Sequence, residues 1–158
     1  MSPLPTRKPN RLEGYDYRRA RPYFLTVCTM QHRCILGRVV PGSVGELAHV
    51  ALTREGRIVE NTVREISRHY PQAAVEKYVV MPNHLHLLLW LLCDPSPVSV
   101  SHIIQQMKGA ATKKIGAAIW QKGFYDHMIR CQADYREIWH YIDNNPQKWA
   151  LDKFYQEV

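Results

Sequence analysis

The chain has 158 residues, 46% hydrophobic and 22% charged, which is typical of a globular protein that buries a core. The apolar stretches are interrupted by polar residues before they reach the roughly 18 to 20 residues of a membrane span, which excludes the common class of helical membrane proteins. The first fourteen residues contain no apolar signal-peptide core, so we expect a single cytoplasmic domain over residues 1–158. The 4 cysteines lack CxxC spacing and indicate reduced thiols.

The formal net charge is +7, and the positive charge is concentrated near the N-terminus. Residues 1–33 contain seven Arg and Lys residues against Glu13 and Asp16, so +5 of the net charge lies there. Residues 1–14 are rich in Pro and basic residues, and we expect them to form a mobile arm. A basic arm without an apolar helical face favours nucleic acid over a membrane as partner, although a solvated tail has the same composition.

The hydrophobic pattern predicts the secondary structure in chain order. The predicted elements are a strand over 22–30, a loop over 31–44, a short strand over 45–51, a helix from the Thr53 cap to Tyr70, strands over 74–81 and 84–91, a helix over 98–118, a turn and strand within 119–130, and a helix over 134–145. In the last helix, Asp134 and Glu137 have capping-box spacing and Pro146 is expected to end it. This order predicts an α+β fold in which helices pack on a face of an antiparallel sheet.

His84 and His86 interrupt the long apolar run YVVMPNHLHLLLWL. Alternate residues of a strand share one face, so the two imidazoles point the same way about 7 Å apart along the backbone. In that position they can converge on one metal ion. Two hydrogen-bonded core histidines would give the same pattern, so the pair alone does not establish a site.

Tyr141 and Asn145 lie four residues apart in the last predicted helix and therefore share a face. They lie off the apolar stripe of Ile138 and Ile142, which argues against a core role but leaves an ordinary surface role open. Beside a bound cation, a tyrosine phenol is a nucleophile suited to attack on a phosphodiester, because the cation stabilises the charge of the transition state.

The segments VVMPNHLHLLLW, FYDHMIR and YIDNNPQKW, in this order, resemble the single-tyrosine HUH transposases, specifically the REP-associated tyrosine transposases of bacteria. The likeness extends from PYFLTVCTMQHRCIL to NNPQKWALDKFY. It implies the HUH endonuclease fold, a ferredoxin-like or RRM-like antiparallel sheet with helices packed on a face. It also implies that His84 and His86 bind a metal, that Tyr141 is the nucleophile and that Asn145 is the third ligand. Many relatives carry Gln there, so the shorter Asn145 leaves direct and water-mediated ligation open.

The resemblance implies a DNA transposase and single-strand endonuclease that cleaves and rejoins hairpin-bearing single-stranded DNA through a 5′-phosphotyrosine. The implied cation is Mg²⁺ or Mn²⁺, although two imidazoles and an amide also suit Zn²⁺. A monomer is favoured over a homodimer, and the protein is expected in the bacterial cytoplasm, at the nucleoid when bound to DNA. Two other functions stay open: a catalytically inactive hairpin DNA-binding protein, and a zinc hydrolase built on the two histidines, for which no acidic ligand is evident from spacing.

Basic residues offer surfaces for DNA phosphates. The predicted contacts are Arg7, Lys8 and Arg11 in the arm, Lys108, Lys113 and Lys114 in the helix over 98–118, and Arg130. Lysines on an exposed helix face are also common without a ligand. Aromatic residues in the segment before Arg130 could stack on unpaired bases, although their apolar neighbours favour core packing; they are Trp120, Phe124 and Tyr125.

Overall fold

The computed structural model describes residues 16–152 and 154–156. The predicted basic arm, with Arg7, Lys8 and Arg11, lies outside the described residues. Within them, none of the helices is both long and apolar enough to cross a membrane.

The elements follow one another as strands β1 (Pro22–Cys28), β2 (Gly37–Val40) and β3 (His49–Leu52), helices α1 (Arg54–Arg64) and α2 (Ile66–His69), strands β4 (Ala73–Val80) and β5 (His84–Leu91), helix α3 (Val100–Ile115), strand β6 (Tyr125–Met128) and helix α4 (Gln132–Asn144). Short 3₁₀ helices occupy Met30–His32 and Pro146–Leu151.

The central sheet has the strand order β4-β5-β1-β6, and each neighbouring pair is antiparallel. Apart from the separate β2–β3 hairpin, the chain runs strand, helix, strand, strand, helix, strand, with the first strand beside the last. This is the α+β sheet that the element order predicted, in the ferredoxin-like arrangement that the family resemblance implied.

The larger hydrophobic core lies on the sheet face that α1, α2 and α3 cover. The odd-numbered residues of β5 point into this core and are fully buried: Leu85, Leu87, Leu89 and Leu91. Helix α1 begins at the Thr53 cap, whose hydroxyl accepts a hydrogen bond from the Gly56 amide at 3.1 Å. Glycine is required at position 56 because a Cβ would lie 1.9 Å from the Leu36 carbonyl oxygen.

Helix α4 packs on the opposite face, where Ile138 and Ile142 form a smaller core with Leu88. The sequence predicts helices on a face of the sheet, and the structure has helices on both faces. The even-numbered residues of β5 point to the α4 side, so the strand alternation puts His84 and His86 beneath this helix.

Two local expectations were wrong. Residues 37–40 form strand β2, paired with β3, inside the predicted loop over 31–44. Helix α4 begins at Gln132, with Cys131 at the N-cap, so Asp134 lies in the first turn and starts no capping box. Its carboxylate instead accepts hydrogen bonds from the Arg130 amide at 3.2 Å and from His127 Nε2 at 3.0 Å.

Candidate metal and nucleophile site

The rings of His84 and His86 converge beneath α4, where both side chains are buried. Their Nε2 atoms lie 3.1 Å apart, much closer than the strand spacing of the two residues. The register places Thr26 of β1 opposite His86 and Cys28 opposite His84. Two ring nitrogens thus face one point beside the first residues of β5, directly after the β4–β5 turn.

Asn83 orients the His84 ring. Its amide nitrogen donates hydrogen bonds to the carbonyl oxygens of His32 at 3.1 Å and Phe154 at 2.7 Å. This fixes the side-chain oxygen toward Nδ1 of His84, at 2.8 Å. Because that oxygen only accepts, Nδ1 carries the hydrogen, and the neutral ring presents the lone pair of Nε2 to the site.

Thr26 and Phe24 hold the His86 ring in the same way from β1. The Thr26 hydroxyl lies 2.9 Å from Nδ1 of His86, and the Phe24 ring stacks on the imidazole with centroids 5.2 Å apart. In histidines that bind a metal, the ring nitrogen that does not contact the ion is usually hydrogen-bonded to an oxygen atom. Both histidines therefore have the surroundings of metal ligands.

A carboxylate that no motif in the sequence indicates lies beside the two histidines. Asp152 Oδ2 is 3.6 Å from His84 Nε2. One ligand atom from each of His84, His86 and Asp152 lies within 4.8 Å of the others. Asp152 follows the final 3₁₀ helix, and no periodicity or spacing relates it to the histidine pair, so only the fold reveals it.

The group has donor atoms of the types that bind divalent cations, and the spacing of its two ring nitrogens suits one ion. Two donor atoms that are each about 2.1 Å from one ion, at a right or tetrahedral angle, lie roughly 3.0–3.4 Å apart. The 3.1 Å between the two Nε2 atoms falls in this range. Imidazole nitrogens with a carboxylate oxygen suit Mn²⁺ and Zn²⁺ and do not exclude Mg²⁺. An acidic side chain, which no spacing in the sequence revealed, therefore lies beside the two histidines.

Tyr141 lies next to this group on α4. Its ring centroid is 5.3 Å from that of His86 and 6.0 Å from that of Phe24, both in edge-on geometry. Burial raises the pKa of the Tyr141 phenol above its usual value; hydrogen bonding with Asn145 acts in the opposite direction, and the negative charge of Asp152 raises the pKa further. The residue remains 42% exposed, so a substrate can reach it.

A cavity of about 530 Å³ opens beside the Tyr141 side chain. Its walls come from the last turns of α4 and from the segment that follows, and it is lined by Glu137, His140, Tyr141, Asn144, Asn145, Lys148, Leu151 and Asp152. The phenol and two oxygen-bearing side chains of the site therefore share one opening to solvent.

Asn145 is the C-cap of α4 and is only 3% exposed. Its amide nitrogen lies 3.5 Å from the Tyr141 carbonyl oxygen, at the limit of a hydrogen bond. Its side-chain oxygen is buried and has no hydrogen-bond partner among the described residues. An orphaned buried oxygen is costly unless it meets a ligand, and this agrees with the predicted role of Asn145 toward a cation.

The predicted DNA-binding residues are spread over several elements. Lys108 donates to the carbonyl oxygens of Gln121 at 2.7 Å and Gly123 at 2.8 Å, which ties α3 to the loop before β6. Lys113 is exposed near the end of α3, and Lys114 lies 3.6 Å from Glu65. Because α3 covers the sheet face opposite the histidines, these lysines lie away from Tyr141. Arg130 is exposed just before α4, and a DNA-binding role for these residues stays a prediction.

The three aromatic residues before Arg130 are not equivalent. Phe124 is 4% exposed within the larger core, and Trp120 packs against that core. Tyr125 is half-buried, with its ring 6.4 Å from Phe154. Phe124 therefore has the core role that its apolar neighbours favoured.

No protein-family model matches the chain. An uncharacterized protein of Haemophilus influenzae (strain ATCC 51907 / DSM 11121 / KW20 / Rd) is 27% identical over 94% of this chain and 93% of its own length. A REP-associated tyrosine transposase of Escherichia coli K12 is 28% identical over 68% of this chain and 69% of its own.

Two solved structures share the fold. A protein of Deinococcus radiodurans R1, 18% identical, matches 85% of this chain and 95% of its own with a TM-score of 0.51. The structure of a REP-associated tyrosine transposase bound to a REP hairpin matches 90% of this chain and 76% of its own, with a TM-score of 0.67 and 26% identity. Sequence and fold together confirm the resemblance to the REP-associated tyrosine transposases that the MPNHLH and YIDNNP motifs carry.

Proposed function

We propose that this protein cleaves and rejoins hairpin-bearing single-stranded DNA through a covalent bond to Tyr141. The observation that carries the proposal is the position of the Tyr141 phenol, 5.3 Å from the His86 ring between centroids and open to a cavity that Asn145 and Asp152 also line. A solved relative of the same fold is bound to a REP hairpin. A hairpin with an adjoining single strand is therefore the substrate class that we propose.

In this mechanism the Tyr141 oxygen attacks the scissile phosphorus while the bond from phosphorus to the 3′ oxygen breaks. The products are a 5′-phosphotyrosine and a free 3′-hydroxyl, and attack by that hydroxyl restores a phosphodiester without loss of bond energy to water. Because burial raises the pKa of Tyr141, the nucleophile rests as a phenol and must lose its proton as the new bond forms. Hydrogen bonding from Asn145 favours the phenolate that develops.

His84, His86 and Asn145 are the residues that we propose to hold a divalent cation, Mg²⁺ or Mn²⁺. When bound, such a cation would neutralise charge on the scissile phosphate. Asn83 and Thr26 contribute by fixing the ring orientations of the two histidines, and Phe24 by contacting both His86 and Tyr141. Exposed Lys113 and Arg130 are proposed to bind DNA phosphates, with the protein acting as a monomer in the cytoplasm.

The test uses single-stranded oligonucleotides from palindromes that flank the gene, labelled on the 3′ side of each candidate cut. Wild type and Tyr141→Phe are incubated with Mg²⁺ or Mn²⁺ and separated on a denaturing gel. Tyr135→Phe is the matched control, because Tyr135 lies on the same helix but outside the cavity. We expect a labelled protein adduct in wild type and Tyr135→Phe that is lost in Tyr141→Phe.

Retarded DNA on a native gel, without an adduct from any flanking hairpin, would overturn the catalytic role of Tyr141. That result would favour the inactive hairpin-binding protein. An adduct that persists in Tyr141→Phe would assign the chemistry to another nucleophile.

A further inference from the structure

We propose that Asp152 is an additional ligand of the cation, so that metal binding is coupled to the docking of the C-terminal segment, defined as Asp152 and residues 154–156. The inference rests on the proposed function only in taking the histidine pair as a cation site. It adds a carboxylate to the His84, His86 and Asn145 set that the sequence motifs predict. It also gives the chain beyond the last 3₁₀ helix a role at the site.

The Asp152 carboxylate is held in a defined orientation. Its Oδ1 atom accepts a hydrogen bond from the Phe154 amide at 2.8 Å, and its Oδ2 atom lies 3.6 Å from His84 Nε2. The side chain is only 3% exposed. One carboxylate oxygen thus accepts a hydrogen bond from the backbone of the C-terminal segment, while the other faces the ring nitrogens.

A positive charge between the Asp152 carboxylate and the two ring nitrogens would stabilise all three donors. Asn83 holds the hydrogen of the His84 ring on Nδ1, so the neutral ring presents a lone pair at Nε2. A lone pair facing a carboxylate is repulsive, and a cation between them removes the repulsion. The alternative is a doubly protonated His84 in an ion pair with Asp152, which is a structural role that the experiment must separate from metal ligation.

Asp152 also supplies a negative charge, which the amide of Asn145 lacks. The amide of Asn145 is a neutral oxygen donor, whereas a carboxylate carries the negative charge that hard cations such as Mg²⁺ and Mn²⁺ prefer in their ligands. Asp152 is grouped with both ring nitrogens within 4.8 Å. A site with two neutral imidazoles and a carboxylate is expected to bind these cations more tightly than two imidazoles and an amide.

The same segment supports the site through its neighbours. The Phe154 ring lies 4.9 Å from the His84 ring between centroids, and the Phe154 carbonyl oxygen accepts the 2.7 Å hydrogen bond from Asn83 that fixes the His84 tautomer. A docked segment therefore places Asp152 and orients His84 together. By linkage, a cation that binds better when the segment is docked must stabilise the docked segment to the same extent.

The first experiment measures Mn²⁺ binding to the full chain without DNA, by electron paramagnetic resonance of free Mn²⁺. The variants are Asp152→Asn, Asp152→Glu and His84→Ala, and Glu76→Gln is the control because it removes one negative charge from an exposed position on β4. We expect Asp152→Asn to raise the Mn²⁺ dissociation constant at least tenfold and Asp152→Glu to raise it less. The Mn²⁺ dissociation constant of Glu76→Gln should stay within twofold of the wild-type value.

Mn²⁺ binding by Asp152→Asn within twofold of wild type, with binding lost in His84→Ala, would overturn the proposal and leave the ion-pair role. Wild type that binds no Mn²⁺ would overturn it as well. Circular dichroism and thermal unfolding without metal check that each variant folds. Because no DNA is present, these outcomes are independent of the adduct assay, which tests the function of Tyr141 separately.

Hydrogen exchange supplies a second readout that keeps the coupling testable if Asp152→Asn is destabilised. The backbone amides of Asp152 and residues 154–156 should exchange at least fivefold more slowly in wild type when Mn²⁺ is added. Exchange in Asp152→Asn should not respond to Mn²⁺. Equal protection by Mn²⁺ in both proteins would contradict coupling through Asp152.

Discussion

The hydroxyl oxygen of Thr26 lies 2.9 Å from Nδ1 of His86, across the antiparallel pair that β1 forms with β5. If the hydroxyl sets the tautomer of His86, Thr26→Val keeps the shape of the side chain but removes the contact. Loss of such a contact typically lowers metal affinity 10- to 100-fold. We expect a loss of about tenfold in Mn²⁺ affinity, measured by calorimetry, with Thr112→Val on α3 as the control. Unchanged affinity would show that the hydroxyl does not orient the ring.

Phe24 contacts both the proposed metal ligand and the proposed nucleophile. Its ring stacks on His86 and meets the edge of Tyr141 at 6.0 Å between centroids. Phe24→Leu keeps an apolar side chain but loses the flat surface that positions the phenol. We expect the rate of adduct formation to fall roughly 10- to 100-fold, since small displacements of reacting groups have effects of this size. Mn²⁺ affinity should change less than threefold, and a parallel loss of affinity would place the defect at His86.

The sheet and the two histidines could be predicted because strand alternation is a local property. Leu85, Leu87 and Leu89 occupy one face of β5 and are fully buried, as their spacing indicates. The same alternation puts His84 and His86 on the opposite face. Helix α4 could be predicted equally well from its apolar stripe, in which Ile138 and Ile142 are buried against Leu88.

The remaining features depend on contacts between distant segments. Asp152 reaches His84 only because the 3₁₀ helix after α4 turns the chain back toward β5, and no spacing rule encodes that turn. Strand β2 was missed because its four residues begin with Gly37 and are followed by Pro41 and Gly42, so they carry little pattern of their own, and pairing with β3 defines them. Asp134 has capping-box spacing, but its carboxylate is engaged by His127 and the Arg130 amide instead.

The contribution of the first turn of α4 to the stability of the protein should depend on pH in the acidic range. Hydrogen bonding with His127, and then with the Arg130 amide, lowers the pKa of Asp134 below its usual value. A lowered pKa in the folded state stabilises the protein above the pKa of the unfolded chain, about 3.9, and this stabilisation is lost as the pH falls through the folded pKa. We therefore expect Asp134→Asn to be less stable than wild type at pH 6, and the difference to shrink steadily as the pH falls below about 4.

Urea unfolding of both proteins across this pH range measures the effect, with Glu76→Gln as the charge control. A difference that is constant from pH 6 to pH 3 would mean that Asp134 acts through packing and not through its ionised form. Because α4 also carries Tyr141, adduct formation at pH 6 should fall with the stability of the helix.

Asn83 connects the histidine site to the C-terminal segment through one fully buried amide. Asn83→Asp keeps the acceptor near His84 but replaces the donor with a carboxylate that faces the carbonyl oxygens of His32 and Phe154. Buried groups left without partners cost roughly 1–3 kcal/mol, and more when charged. We expect a loss of unfolding free energy of at least this size in urea, together with faster hydrogen exchange at residues 154–156. Asn61→Asp, at an exposed position of α1, should change neither. If Asn83→Asp were as stable as wild type, the two carbonyl contacts would not be what holds the segment against the site.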